Sequence, residues 1–372
     1  MHFDWILVGA LVPLLAAGLA TMYSFGDANI FFERQLIWIA IGVAVMGVAS
    51  QIDWRFLRNS RVIVILFGVS VATLLALFVF GTVTQGALSR FDLGVLFVQP
   101  SDPIKLVLVI ILAKYFSRRH VEIAQLKHIF ISGVYAFVLF ALVAIQPDFG
   151  SAIILFLVWF GMVLVSGISK KHVAFVAGVG IAAFAFMWMF VFADYQKARI
   201  MTFIDPMADI QGTGYSVYQS TIAIGSGQVT GKGFGYGTQS RLDFLPEYET
   251  DFIFAAFAEE WGFIGVMVLL GLFGVVLWRL ITSARHGQTN FEVFFGLGVV
   301  MIFLAHLIVH IGGNVGLLPV TGTTMPFLSY GGSHLMMEFL ALGIVLGMRR
   351  YAPHVSRDTI YEHKTSTILS SS

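Results

Sequence analysis

The sequence predicts an all-α polytopic membrane protein of about ten transmembrane helices. Three observations predict it. The chain is 58% hydrophobic and only 12% charged, with a mean hydropathy of +0.87, whereas a soluble domain is about 25% charged. Uncharged stretches recur at 5–26, 35–52, 62–89, 149–169, 173–193, 261–278 and 293–337. A helix crosses the hydrocarbon core with about 20 apolar residues, so several of these span. Pro319 and Pro326 break the last of them into a span and a re-entrant or surface loop.

In order, the helices are read at 5–25, 35–51, 62–82, 103–117, 128–146, 149–168, 172–193, 251–281, 291–312 and 333–350. The weakest is 103–117, which Lys105 and Lys114 bracket. The 36 phenylalanines suit lipid-facing and inter-helix packing rather than a cofactor box. Met1-His2-Phe3-Asp4 has no basic n-region, so the first apolar segment is read as a retained span rather than a cleaved signal. With no cysteine the loops owe nothing to disulfides. A net charge of +1 argues against an acidic macromolecular partner, nucleic acid included.

Basic residues orient the spans. With the N-terminus inside, the inner side holds Arg55, Arg58, Arg61, Lys114, Arg118, Arg119, Lys127, Lys170, Lys171, Arg279, Arg285, Arg349, Arg350, Arg357 and Lys364. The outer side holds Arg34, Arg90, Lys105, Lys197, Arg199, Lys232 and Arg241. Both termini are therefore expected to be cytoplasmic. Residues 1–351 read as a single transmembrane domain with a large extracytoplasmic loop at 194–250, and 352–372 as a short Ser-rich cytoplasmic tail. Loops this long are uncommon unless functional or disordered. Phe203, Tyr215, Tyr218, Phe234 and Phe244 favour a loop that folds back on the membrane surface.

Asp251 is the leading site candidate, because a carboxylate where a span meets water is costly unless it has a task. The plainer reading is a helix-start acid complementing the helix dipole. Residues 225–240, with six glycines and Lys232, suggest a phosphate cradle. Ser226 and Gly233 break the P-loop pattern, however, and a turn-rich surface loop serves as well. In Gln99-Pro100-Ser101-Asp102-Pro103-Ile104-Lys105, Ser101 or Asp102 can cap a helix. Lys105 then sits beside anion-attracting amides or merely snorkels. In Gln146-Pro147-Asp148-Phe149-Gly150, Asp148 is either a turn cap or a site carboxylate. Asn314 to Gly322 and Pro326 to Ser333, including Ser329, form an uncharged external hairpin able to dip into the bilayer if protein covers its backbone. His306 and His310 share a helix face, where packing is the expected role rather than metal binding.

Taken together, these segments resemble the SEDS family (shape, elongation, division and sporulation proteins) over nearly the whole chain. The similar segments include Ile222 to Gly227, Thr230-Gly231-Lys232-Gly233, Gly237 to Ser240 and Phe244-Leu245-Pro246-Glu247 through Thr250-Asp251-Phe252. Leu317 to Gly322 looks more like the elongation branch, RodA, than the division branch, FtsW. Asp102, His310, Thr324 and His334 depart from the usual Glu, Asn, Pro and Ser.

The resemblance implies a SEDS-type fold and a peptidoglycan glycosyltransferase that polymerises lipid II at the outer face of the bacterial cytoplasmic membrane. Asp251 matches the family's catalytic Asp. Lys105, Asp102, Asp148, Arg199, Lys232, Glu247, Glu259, Asn314 and Ser329 are the substrate-binding candidates. Glu259 either tunes Asp251 or packs its helix. Cations or a divalent metal, Mg or Mn, are expected on the leaving diphosphate, and no organic cofactor. The implied partners are a class B penicillin-binding protein and elongation-complex membrane proteins. The glycines at 262, 265, 271 and 274 offer close approach to a partner helix or to a neighbour within the chain. A lipid flippase, a scaffold and a division-type polymerase remain as alternatives.

Overall fold

A computed structural model describes residues 4–24, 30–84, 87–92, 97–118, 126–190, 197, 201, 203, 214–242 and 244–351. Its long helices are α1 (Trp5–Tyr23), α2 (Ile30–Ala49), α3 (Ser60–Phe80), α4 (Ser101–Ser117), α5 (Leu126–Ile145), α6 (Phe149–Val165) and α7 (Lys170–Phe190), followed by α10 (Ile253–Arg285), α11 (Asn290–Asn314) and α12 (Gly332–Arg350). Each matches one expected span within a few residues, α2 starting five earlier. Between α7 and α10 lie α8 (Tyr215–Ser226) and the short α9 (Thr238–Arg241). Among the described residues six helices are long and apolar enough to cross a membrane on their own: α1, α2, α3, α5, α10 and α11.

Residues 82–98, not read as strands from the sequence, contain a small antiparallel sheet of β1 (Thr82–Thr84), β2 (Ala87–Asp92) and β3 (Phe97–Val98). Val83 pairs with Leu88 and Phe91 with Val98. The sheet leads directly into α4.

Helix α11 is the axis of the bundle, packed by α4, α6 and α10 and mostly buried. Helix α4 carries Asp102, Lys105 and Lys114, and it tolerates them because protein surrounds it: its residues from Ile104 to Ala113 are buried, Val107 excepted. Helix α2 packs on α12. A Cβ at Gly42 would overlap the Phe339 ring, and one at Gly343 the Ala49 side chain. Exposed Phe175, Ile181 and Phe190 on α7 present an apolar face suited to lipid.

Helix α10 is not the continuous rod that 251–281 suggests. Gly262 has a non-helical backbone (φ 64°, ψ −167°), and the 228–233 segment fills the break. Phe263 and Ile264 donate amides to the Gln228 and Val229 carbonyls at 2.9 and 3.0 Å. Lys232 and Gly233 donate theirs to Glu259 and Glu260, both at 3.0 Å. The break would otherwise orphan the Glu259 and Glu260 carbonyls and the Phe263 and Ile264 amides.

At one end of the bundle Asp4 caps α1 through the Leu7 amide (3.1 Å) and takes Arg279 Nη2 of α10 at 2.6 Å and Arg349 Nη1 of α12 at 3.3 Å. Burial pushes the Asp4 carboxyl up, but the Arg279 hydrogen bonds, the Leu7 amide and the two guanidinium charges outweigh it and hold it below the usual range. The opposite end carries Asp251.

Candidate active site

Glu247 turns the chain with a left-handed backbone (φ 48°). Its carbonyl accepts from the amides of Thr250, Asp251 and Phe252 at 3.2, 2.9 and 3.2 Å. This turn delivers Asp251, half-buried, just before the α10 boundary at Phe252. The Glu247 side chain is exposed, its Oε2 accepting from Thr250 Oγ1 at 3.4 Å.

The 314–331 segment holds that turn from behind. Asn314 Nδ2 donates to the Asp251 and His310 carbonyls, both at 2.9 Å, and its Oδ1 accepts from the Ala255 amide at 3.2 Å. Ser329 Oγ donates to the Thr250 carbonyl and accepts from the Met325 amide, both at 2.7 Å. The buried Asn314 and Ser329 therefore seat backbone. Gly322, left-handed at φ 69°, lies beside the carboxylate: a Cβ there would stand 3.4 Å from Asp251 Oδ2. The loop dips into protein as its lack of charge allows. Met325, Phe327 and Leu328 are buried, and Leu328 lies so close to Gly18 that a Cβ there would sit 2.7 Å from its carbonyl.

Asp148 caps α6, its Oδ1 accepting from the Ser151 amide at 3.0 Å. Its Oδ2 accepts from Gln99 Nε2 at 3.1 Å and Ser101 Oγ at 3.3 Å. Gly150 approaches Thr321, whose carbonyl would stand 2.5 Å from a Cβ there. The N-terminal ends of α4, α6, α10 and α12 are thus drawn together around the 320–331 loop, with Gln99 and Ser333 exchanging 3.4 Å contacts.

Two expected placements change. Neither Ser101 nor Asp102 caps α4: Pro100 bounds it, and no side chain makes the cap bond. Lys105 does not sit at an open helix mouth. It is buried, with Nζ 3.0 Å from the equally buried Asp102 Oδ1. An ammonium enclosed this way does not snorkel.

The glycine-rich segment is a brace rather than a phosphate cradle, since its Lys232 and Gly233 amides are taken by α10. Lys232 Nζ donates to Glu259 Oε1 at 2.6 Å and to Thr238 Oγ1 at 2.8 Å. Glu259, fully buried, also accepts from the Thr238 and Gln239 amides at 2.9 and 3.2 Å. These bonds direct its carboxylate into the brace. Arg199 lies outside the described residues.

His310 and His306, expected to pack, donate through Nδ1 to the Thr323 and Thr324 carbonyls at 2.6 and 3.1 Å. Two further contributors, Gln35 and Glu338, are not among the site candidates read from the sequence. Gln35 Nε2 reaches the Ser329 carbonyl at 3.1 Å. Glu338 Oε2 accepts from the Phe327 amide at 3.1 Å. An acid inside an otherwise uncharged stretch of α12 was the available signal for Glu338. Among the described residues no group of three His, Asp or Glu side chains forms a cation site.

The model of the FTSW_RODA_SPOVE cell cycle proteins matches residues 1–354. This chain belongs to that family. It is 36% identical over 359 residues to the peptidoglycan glycosyltransferase MrdB of Escherichia coli (strain K12), covering 96% of both chains. It is 34% identical over 361 residues to stage V sporulation protein E of Bacillus subtilis (strain 168), covering 94% of this chain and 97% of that one. Among solved structures it resembles a chain of a peptidoglycan synthase complex that coordinates polymerization and crosslinking, with a TM-score of 0.81, 27% identity and 95% and 99% coverage. It also resembles Thermus thermophilus rod shape determining protein RodA, with a TM-score of 0.71, 28% identity and 94% and 97% coverage.

Proposed function

We propose that this family member is a RodA-type peptidoglycan glycosyltransferase that polymerises lipid II, with Asp251 as its general base. The observation that carries the reading is the placement of Asp251: a half-buried carboxylate on a rigid turn, beside the side-chain-free Gly322, where helix N-termini converge. A sugar 4-hydroxyl attacks the anomeric carbon of the lipid-linked sugar. Its proton passes to Asp251 as the new bond forms, and the diphosphate leaves with inversion at that carbon. Negative charge grows on the leaving group, and the positive ends of α4, α6, α10 and α12 favour it. Lys105 adds a fixed charge behind them. Mg or Mn would enter as a companion of the diphosphate, since among the described residues the side chains gather no site for it.

The Arg279 and Arg349 end is assigned to the cytoplasm by its excess of basic residues, which puts Asp251 at the outer face. The partner is proposed to be a class B penicillin-binding protein, because polymerised strands need crosslinking and the sequence of the outer loops offers no candidate Ser/Lys acyl-transfer constellation. Gly271 and Gly274 on α10 support a docking surface: a Cβ at either meets nothing within 4 Å. Gly262 and Gly265 are instead used within the chain.

The test is polymerisation of lipid II by the purified protein with an Asp251→Asn control. The variant is expected to keep its fold and lose about 10²–10⁴-fold in rate. Near-normal polymer yield from a folded variant would sink the assignment.

A further inference from the structure

Asp102 on α4 and Glu338 on α12 are both buried, and His334 stands between them. Its Nδ1 lies 3.5 Å from Asp102 Oδ1 and its Nε2 lies 2.9 Å from Glu338 Oε1. Lys105 Nζ approaches the same Asp102 oxygen at 3.0 Å. A carboxylate only accepts hydrogen bonds, and a neutral imidazole has one donor nitrogen and one lone pair. A neutral ring would therefore turn its lone pair on one of the two carboxylates. A ring protonated at both nitrogens meets both attractively. Neither contact is aligned as a hydrogen bond, so a charged ring would be held there by charge rather than by directed bonds.

The charge count agrees. Two buried carboxylates face one lysine, and an uncompensated buried charge is strongly destabilising. The other titratable groups around the ring are His306, whose ring centroid is 4.5 Å away, and His310. Both give Nδ1 to loop carbonyls while their Nε2 atoms are buried without a partner, as in a neutral ring.

From Glu338 the path continues to the Phe327 amide. Phe327 is held in the left-handed region at φ 60°, two residues before the Ser329 that seats the Thr250 carbonyl. A connected series of contacts thus joins Lys105 to the turn bearing Asp251.

We propose that His334, as an imidazolium, is a positioning residue that ties the Lys105–Asp102 pair to the loop seating Asp251. Its catalytic consequence rests on the polymerase reading; its charge state does not. The stability it contributes is full while the ring is protonated and is lost as pH rises and the proton leaves.

The experiment compares the full-length wild type with His334→Asn, Glu338→Gln and the double variant. Melting temperature and the kinetics of lipid II polymerisation are each followed against pH. The wild type is expected to melt lower as pH rises, and His334→Asn to lose that limb. KM for lipid II should rise on the order of tenfold, the factor equivalent to 1.36 kcal/mol, with a smaller change in kcat. Glu338→Gln placed on His334→Asn should recover part of both losses, because it removes the carboxylate left unbalanced. If His334→Asn alone does not fold, the charge-balanced double variant carries the comparison with the wild type.

Parallel melting profiles for wild type and the folded variant, or a double variant no better than His334→Asn, overturn the proposal. A melting limb that vanishes while KM and kcat keep their wild-type pH profiles overturns the positioning role. Wild-type protein that melts as expected but does not polymerise lipid II sinks the polymerase reading, and the positioning role with it.

Discussion

Lys105 shows how much burial changes the meaning of a residue. Its place in the sequence suggested a cation one turn inside a helix mouth; in the fold it is enclosed with Asp102. Removing one member of a buried pair strands the other, which costs about 3–5 kcal/mol. Lys105→Ala is therefore expected to melt early, and Lys105→Ala with Asp102→Asn to regain much of that stability. If Lys105 also acts on the donor diphosphate, the stable double variant still uses lipid II poorly. Wild-type kinetics in that double variant would reduce Lys105 to a structural charge. Asp251 was legible because an acid at a span boundary stands out against apolar neighbours. Its supports were not, because Asn314 and Ser329 reach it across 63 and 79 residues of chain.

At the scale of the element, α10 is two helical pieces with the 228–233 segment wedged between. A Cβ at Gly262 would stand 2.2 Å from the Gly231 amide nitrogen, and one at Gly231 would stand 2.1 Å from the Glu260 carbonyl. Both positions have left-handed φ, where a side chain adds strain of about 1–3 kcal/mol. Gly262→Ala is expected to lower the melting temperature and weaken polymerisation by loosening the Lys232–Glu259 brace. Gly271→Ala, in open space on the same helix, is expected to be neutral or stabilising by up to about 1 kcal/mol. Equal melting of the two variants would show that the break carries no strain.

Across the whole molecule two surfaces invite tests. Gly271→Leu and Gly274→Leu fill open positions, so they should leave melting intact while reducing co-purification of a class B penicillin-binding protein. A complex that survives both places docking on another helix. At the opposite end, Asp4 joins α1, α10 and α12 through Arg279 and Arg349. Because its folded carboxyl is held below the unfolded value, the clamp's stability is present above the unfolded pKa. It is lost as pH falls through the folded one. Asp4→Asn should therefore lower the melting temperature at neutral pH and converge with wild type in acid. A constant gap across pH would show that the ion pair is not the cause.

The ten long helices were readable because an apolar run of about 20 residues is a local property that needs only lipid around it. So were the proline-broken hairpin before α12 and the acid at the start of α10. The break at Gly262, the enclosure of Lys105 and the His334 contacts were decided by tertiary structure alone. Each depends on a partner far along the chain: Gly231 for the break, the surrounding helices for Lys105, and Asp102 for His334. A residue's hydropathy reports its preference for lipid or water, and it is silent on whether a second buried charge waits across the bundle to pair with it.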